Sequence, residues 1–154
     1  MSAPQQESTD RAPLLELREV TKRFDAGRTD APAILRGLDL ELAAGESVAV
    51  VGPSGSGKST LLNIIGTLAA PTSGRVLLEG TDLAGLSAER LAEVRNRRLG
   101  FVFQAHHLLP QCTALENVLV PTLVHSDSSE RTLARERALD LLDQVGLASL
   151  ASHR

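Results

Sequence analysis

The sequence predicts an α/β fold: a small, mainly antiparallel sheet leading into a strand–loop–helix core. Three adjacent segments predict it. Ser47-Val48-Ala49-Val50-Val51 is a short β-branched run that reads as a buried strand. Gly52-Pro53-Ser54-Gly55-Ser56-Gly57-Lys58-Ser59 follows at once and fits G-x-x-x-x-G-K-[ST]. Thr60-Leu61-Leu62-Asn63-Ile64-Ile65 comes next, with Leu61, Leu62 and Ile65 at helical spacing. Strand, glycine loop, helix is the setting in which that octapeptide wraps the phosphates of a nucleoside triphosphate.

Each residue type in the loop has a reason. Gly52, Gly55 and Gly57 let the backbone curl with no Cβ in the way. The curl, through Pro53, Ser54 and Ser56, points successive N–H groups inward as a nest for phosphate oxygens. The helix that starts at the loop's end, through Thr60, adds its positive N-terminus. Lys58 reaches the β- and γ-phosphates, and the Ser59 hydroxyl is placed to ligate Mg²⁺. The expected ligands of the loop are therefore a nucleoside triphosphate and Mg²⁺.

The other elements follow in order. Residues 1–13 are polar, carry two prolines and lack an apolar run, which reads as a disordered tail without a signal peptide. Leu14 to Val20 alternates like a half-exposed strand, and Asp25 to Pro32 is a turn-rich loop. Ile34-Leu35 and Leu38 to Leu42 resume strand patterning. Pro71-Thr72-Ser73-Gly74 reads as a turn, and Arg75 to Gly80 as a further strand. Ser87 caps a helix running to about Arg97. Leu99 to Phe103 reads as a strand. Thr113-Ala114-Leu115-Glu116 is a capping box opening a short helix that Pro121 ends. Asp127-Ser128-Ser129-Glu130 opens another, with Ala134, Ala138, Leu141, Leu142 and Val145 on one apolar face and Gly146 at its C′ position.

Composition narrows the class. The chain has 154 residues, 42% hydrophobic and 23% charged, as a soluble globular domain does. Net charge is −3, so no global basic field favours nucleic acid. The cluster Arg90, Arg95, Arg97 and Arg98 lies near Glu89 and Glu93 and reads as a solvated helix face. Cys112 is the single cysteine and has no internal partner, which suits a reducing cytosol. No run of 18 apolar residues is present, so a membrane role would come through a partner. His106 and His107 are adjacent, point to opposite sides of an extended chain, and read as solvent or partner contacts rather than metal ligands.

A P-loop alone does not separate kinases, GTPases, motors and transporters. Gly100-Phe101-Val102-Phe103-Gln104 is similar to the Q-loop of ABC transporter ATPases. Phe24, after Val20-Thr21-Lys22-Arg23, sits where that family keeps an aromatic to stack on adenine. The spacing from Phe24 to Lys58 to Gln104 agrees with the family, as do Gly45-Glu46, Pro71 to Gly74 and Thr113 to Val118. The string Leu99 to Pro110, with its His-His-Leu-Leu-Pro, resembles most the lipoprotein-releasing (LolD-type) branch and its macrolide-exporter (MacB-type) relatives.

The resemblance implies a fold and a set of roles. The fold is the P-loop core of an ABC ATPase behind an N-terminal antiparallel β subdomain, incomplete at the C-terminus. Residues 14–154 would be the N-terminal portion of a nucleotide-binding domain. Gln104 would ligate Mg²⁺ and position water, and Lys58 would act on the transferred phosphate. Partners would be a transmembrane permease, with residues 104–121 as its docking face, and a second ATP-binding subunit across the ATP. The place would be cytoplasmic, on the inner face of the plasma membrane. The family's signature loop, Walker B strand with its Asp-Glu, D-loop and switch histidine do not occur in residues 1–154. The chain alone is therefore expected to bind ATP without turnover, and the alternative reading is a non-hydrolysing nucleotide-binding fragment.

Overall fold

A computed structural model describes residues 12–23, 32–105, 107–124 and 127–154. They form two compact units, Met1–Gly100 and Phe101–Arg154.

The first unit is built on a sheet of order β2-β1-β3-β4, with β1 Leu15–Arg23, β2 Ala33–Leu42, β3 Ser73–Leu78 and β4 Thr81–Asp82. Every pairing in it is antiparallel. Strict alternation would turn Leu15, Leu17 and Glu19 to the same face. A β-bulge prevents that. Pairing passes from Leu17↔Leu40 to Val20↔Leu38, so three steps on β1 face two on β2. Glu19 takes φ 48°, and its N–H donates to Asp39 Oδ1 at 2.7 Å. Val20 thereby turns inward and is fully buried. On the other side, Gly74 presses against the bulge at φ 87°, where a Cβ would lie 2.4 Å from the Glu19 carbonyl oxygen. Ser73 and Gly74 are thus the first residues of β3 and not part of a turn.

The core under this sheet is Leu15, Leu17, Val20, Leu35 and Val76, with Leu61 and Ile64 from helix α1 (Lys58–Ile65) and Leu83 beyond β4. Leu62, expected in the apolar stripe of α1, is 55% exposed. One residue turns a helix by about 100°, so the sheet takes the side shared by Leu61 and Ile64 and leaves Leu62 outside. Helix α2 (Ala88–Arg98) starts where Ser87 predicts, its Oγ accepting from the Arg90 N–H at 3.3 Å. Arg95 donates to both the carbonyl and the hydroxyl of Thr67, each at 3.1 Å, tying α2 to the turn that follows α1.

Two expected strands are absent. Residues 47–51 and 99–103 run without a ladder, and Val51 and Val102 are exposed. β-Branched composition fits a strand but does not make one, because a strand exists only by pairing. Among the described residues, neither segment has a neighbouring strand to pair with.

The second unit holds α3 (Ala114–Leu119) and α4 (Ser128–Gln144) around Leu115, Ala138 and Leu142. Both bonds of the predicted capping box are present: Glu116 N–H to Thr113 Oγ1 at 3.2 Å, and Thr113 N–H to Glu116 Oε2 at 2.7 Å. Ala114 and Leu115 donate to the carbonyls of His153 and Ala151 at 2.8 and 3.0 Å, so the chain's last residues close the start of α3. Asp127 caps α4, and Gly146 at φ 74° ends it, with Leu147 N–H reaching Leu142 O at 2.7 Å. The buried face of α4 is narrower than its pattern predicts. Ala138 and Leu142 are buried, while Leu141 and Val145 are exposed.

Candidate functional site

The loop expected to cradle phosphate curls through glycines at positive φ. Gly52, Gly55 and Gly57 take φ 154°, 80° and 92°. At Gly57 the requirement is twofold: φ is left-handed, and a Cβ would stand 2.9 Å from Ile34 Cγ2. Lys58 Nζ donates to the carbonyls of Gly52 at 2.8 Å and Pro53 at 2.7 Å, so the amine sits over the loop's mouth.

The loop ends at α1, whose start differs from those of the other helices. α2, α3 and α4 each carry a glutamate in the first turn and a side-chain cap. α1 has no acid in its first turn and no side-chain cap. Its first N–H groups and positive end are left for an external anion. Loop and helix start line an open cleft of about 400 Å³ with Ile34, Ser54, Gly55, Gly57, Lys58, Ser59 and Thr60. Ser59 is exposed there, and Lys58 and Thr60 are half-buried. Among the described residues, no group of three or more His, Cys, Asp or Glu side chains is placed to hold a metal ion. The hydroxyl oxygens that line the cleft are those of Ser54, Ser59 and Thr60, neutral hard donors of the kind Mg²⁺ accepts.

Gln104 belongs to the second unit, exposed in a bend after Phe103. Phe101 and Phe103 stack with centroids 5.3 Å apart, and the His107 ring stands edge-on to Phe103 at 4.9 Å. That pairing of positions two apart is what an extended chain gives. Phe24, His106 and His125 lie outside the described residues.

Two residues that sequence reasoning did not single out matter to the geometry. Ile34, the second residue of β2, forms one wall of the loop cleft. Asn117, on α3, donates from Nδ2 to the carbonyls of Leu109, Cys112 and Thr113 at 3.1, 3.3 and 3.0 Å, and accepts from Leu109 N–H at 2.8 Å. An asparagine inside a helix is a weak helix former. That mismatch is the signal that could have flagged Asn117. The turn it holds rims a groove of about 600 Å³ whose apolar walls include Leu108, Leu109, Pro110, Val118, Leu142 and Leu147. Below Asn117, the Thr113 N–H, then its hydroxyl, hold the Glu116 carboxyl below the usual carboxylate range.

A family model described as ABC transporter matches residues 35–154. The chain belongs to the ABC transporter family. It is 49% identical over 142 residues to the lipoprotein-releasing system ATP-binding protein LolD of Roseobacter denitrificans, covering 92% of this chain and 62% of that one. It is 53% identical over 135 residues to a LolD of Rhodospirillum rubrum, covering 88% and 58%. Among solved structures it is similar to the ATP-binding cassette MJ0796, a dimer in a post-hydrolysis state bound to ADP and Pi. The TM-score is 0.76 at 38% identity, over 91% of this chain and 61% of that one. The ABC cassette fold read from the sequence is thereby shown, and its lipoprotein-releasing resemblance agrees with these relatives. The chain spans about three fifths of the length of the relatives it matches. No helix among the described residues of this ABC chain is long and apolar enough to cross a membrane.

Proposed function

We propose that this chain is the ATP-binding part of an ABC transporter subunit that serves lipoprotein release. The observation that carries it is the cradle: three glycines at positive φ, the Lys58 amine over the mouth, and a helix start free of acids. Family membership and the LolD relatives support the transporter reading. Lys58 and the loop N–H groups hold the triphosphate. In this reading Ser59 supplies an oxygen toward Mg²⁺, and the roles that the family resemblance implies for Gln104, a metal ligand, and Phe24, an adenine platform, belong to the same proposal. Bound Mg²⁺ supplies charge neutralisation on the phosphates.

A membrane permease and a second ATP-binding subunit complete the machine, on the cytoplasmic face of the membrane. ATP-driven closure of the two ATP-binding subunits moves the permease. The groove beside the Asn117-held turn is the permease's docking place. Residues 1–154 contain no Asp-Glu pair to anchor metal and activate water, so these residues alone bind ATP without turning it over.

The test is a titration of a fluorescent ATP analogue into wild type and Lys58→Ala. A lost charge-assisted hydrogen bond is worth about 1.5–3 kcal/mol, roughly ten- to hundredfold in affinity. Equal dissociation constants would remove the loop from the reading.

A further inference from the structure

α1 and α4 end in the same way but on different residues. On α4, Gly146 N–H reaches Asp143 O at 2.9 Å and Leu147 N–H reaches Leu142 O at 2.7 Å. On α1, Thr67 N–H reaches Ile64 O at 3.0 Å and Leu68 N–H reaches Asn63 O at 2.8 Å. This closure requires one left-handed residue, a place that glycine takes because it has no Cβ. α4 has Gly146 there at φ 74°. α1 has Thr67 at φ 56°, and its glycine, Gly66, comes one residue early at φ −73°. A β-branched residue in that region is strained and persists only where its surroundings hold it. The hold comes from α2. Arg95 Nη1 donates to the Thr67 carbonyl and to its hydroxyl, each at 3.1 Å. The other arginines of α2 face acids: Arg90 and Arg97 meet Glu93, and Arg98 meets Glu79. The hydroxyl that gives Arg95 its second acceptor is what a glycine at position 67 would lack.

The helix held in this way is the one that starts at the phosphate loop. α1 has 8 residues, fewer than a helix needs to persist by itself. It has no acid and no side-chain cap at its start, and no basic residue in its last turn. Its order therefore depends on its buried side, Leu61 and Ile64, and on what meets its far end. Arg95 supplies there the positive charge that the last turn of α1 lacks. We propose that Arg95 and Thr67 are positioning residues for the ligand of the loop. They fix the far end of α1, so that its first N–H groups stay aimed at the loop's mouth. Neither residue lines the cleft, so both act through the helix and not by contact. The proposal rests on the reading of the loop as a nucleoside triphosphate site.

The test is calorimetric titration of the whole chain with ATP and Mg²⁺. Wild type is compared with Arg95→Met, Thr67→Val and the double variant Arg95→Met with Thr67→Gly. Apparent affinity scales with the fraction of molecules in which α1 is correctly set. Arg95→Met leaves Thr67 strained and unheld, and ATP should bind about five- to tenfold more weakly. Thr67→Val keeps the shape and the strain but removes one acceptor, and should weaken ATP about two- to threefold. In the double variant glycine takes the left-handed turn unaided, so affinity should return to within about twofold of wild type. A merely structural role would not give this pattern. Binding is read on folded protein, and a second substitution that only removes a bond does not restore it. Wild-type affinity in both Arg95→Met and Thr67→Val would overturn the proposal. So would a double variant as weak as Arg95→Met. If Arg95→Met does not fold, Thr67→Val decides, and an affinity equal to wild type overturns the proposal. Each of these results leaves the loop reading standing. A wild type that does not bind ATP would bring down both.

Discussion

Replacing Gly74 with alanine should cost this chain a large part of its stability. A Cβ there would lie 2.4 Å from the Glu19 carbonyl oxygen and 2.6 Å from that of Arg18. Even weak C–H···O contacts keep carbon and oxygen about 3.3 Å apart. Both oxygens are backbone, so no rotamer change relieves the overlap. β3 must retreat from β1 by roughly 1 Å, which breaks ladder bonds beside the bulge at about 0.5–1.5 kcal/mol each. The left-handed φ of 87° adds roughly 1–2 kcal/mol for any residue with a Cβ. Two lost bonds and the backbone term together come to about 2–5 kcal/mol, against a typical domain stability of about 5–15 kcal/mol. Gly85→Ala is the control, since a Cβ there meets nothing within 4 Å, and it should shift stability by less than about 1 kcal/mol. Urea unfolding followed by circular dichroism compares the two. A Gly74→Ala midpoint equal to that of Gly85→Ala would refute the reasoning.

Leu108→Cys in a Cys112→Ser background, assembled with its transporter, should crosslink to the permease. No adduct there, with one from a cysteine at Arg36 in β2, would move the docking face elsewhere. The capping box gives a pH signature. Hydrogen bonds from Thr113 lower the folded-state pKa of Glu116. Its contribution is therefore complete above the ordinary glutamate value of about 4.3 and is lost as pH falls through the folded value. Urea midpoints of wild type should fall more steeply in acid than those of Glu116→Gln, and parallel profiles would contradict this.

The features legible in the sequence are those written within a few residues. The loop from Gly52 to Ser59 is contiguous, and the caps at Ser87, Thr113 and Asp127 each act on an N–H two or three residues ahead. The bulge in β1 was not legible, because it is set from a distance. Asp39 takes the Glu19 N–H from 20 residues away, and Gly74 makes room from β3. The expected strands at 47–51 and 99–103 failed for a related reason. Val48, Val50 and Val102 have the right shapes, but a ladder needs a second strand that composition cannot supply. Ile34 reads in the sequence only as part of a strand, because it joins the loop through folding alone.

The amide of Asn117 holds the turn from Leu109 to Thr113 entirely through main-chain atoms. Part of the instruction for that turn's shape is thus stored outside the turn. The turn adds one main-chain bond of its own, from the Cys112 N–H to the Leu109 carbonyl at 3.0 Å, so the side chains of Leu109, Gln111 and Cys112 are released from that task. A substitution among them alters the surface that is shown to a neighbour, while one at Asn117 alters the frame on which the surface is mounted. Shape and lettering can therefore be changed independently of one another.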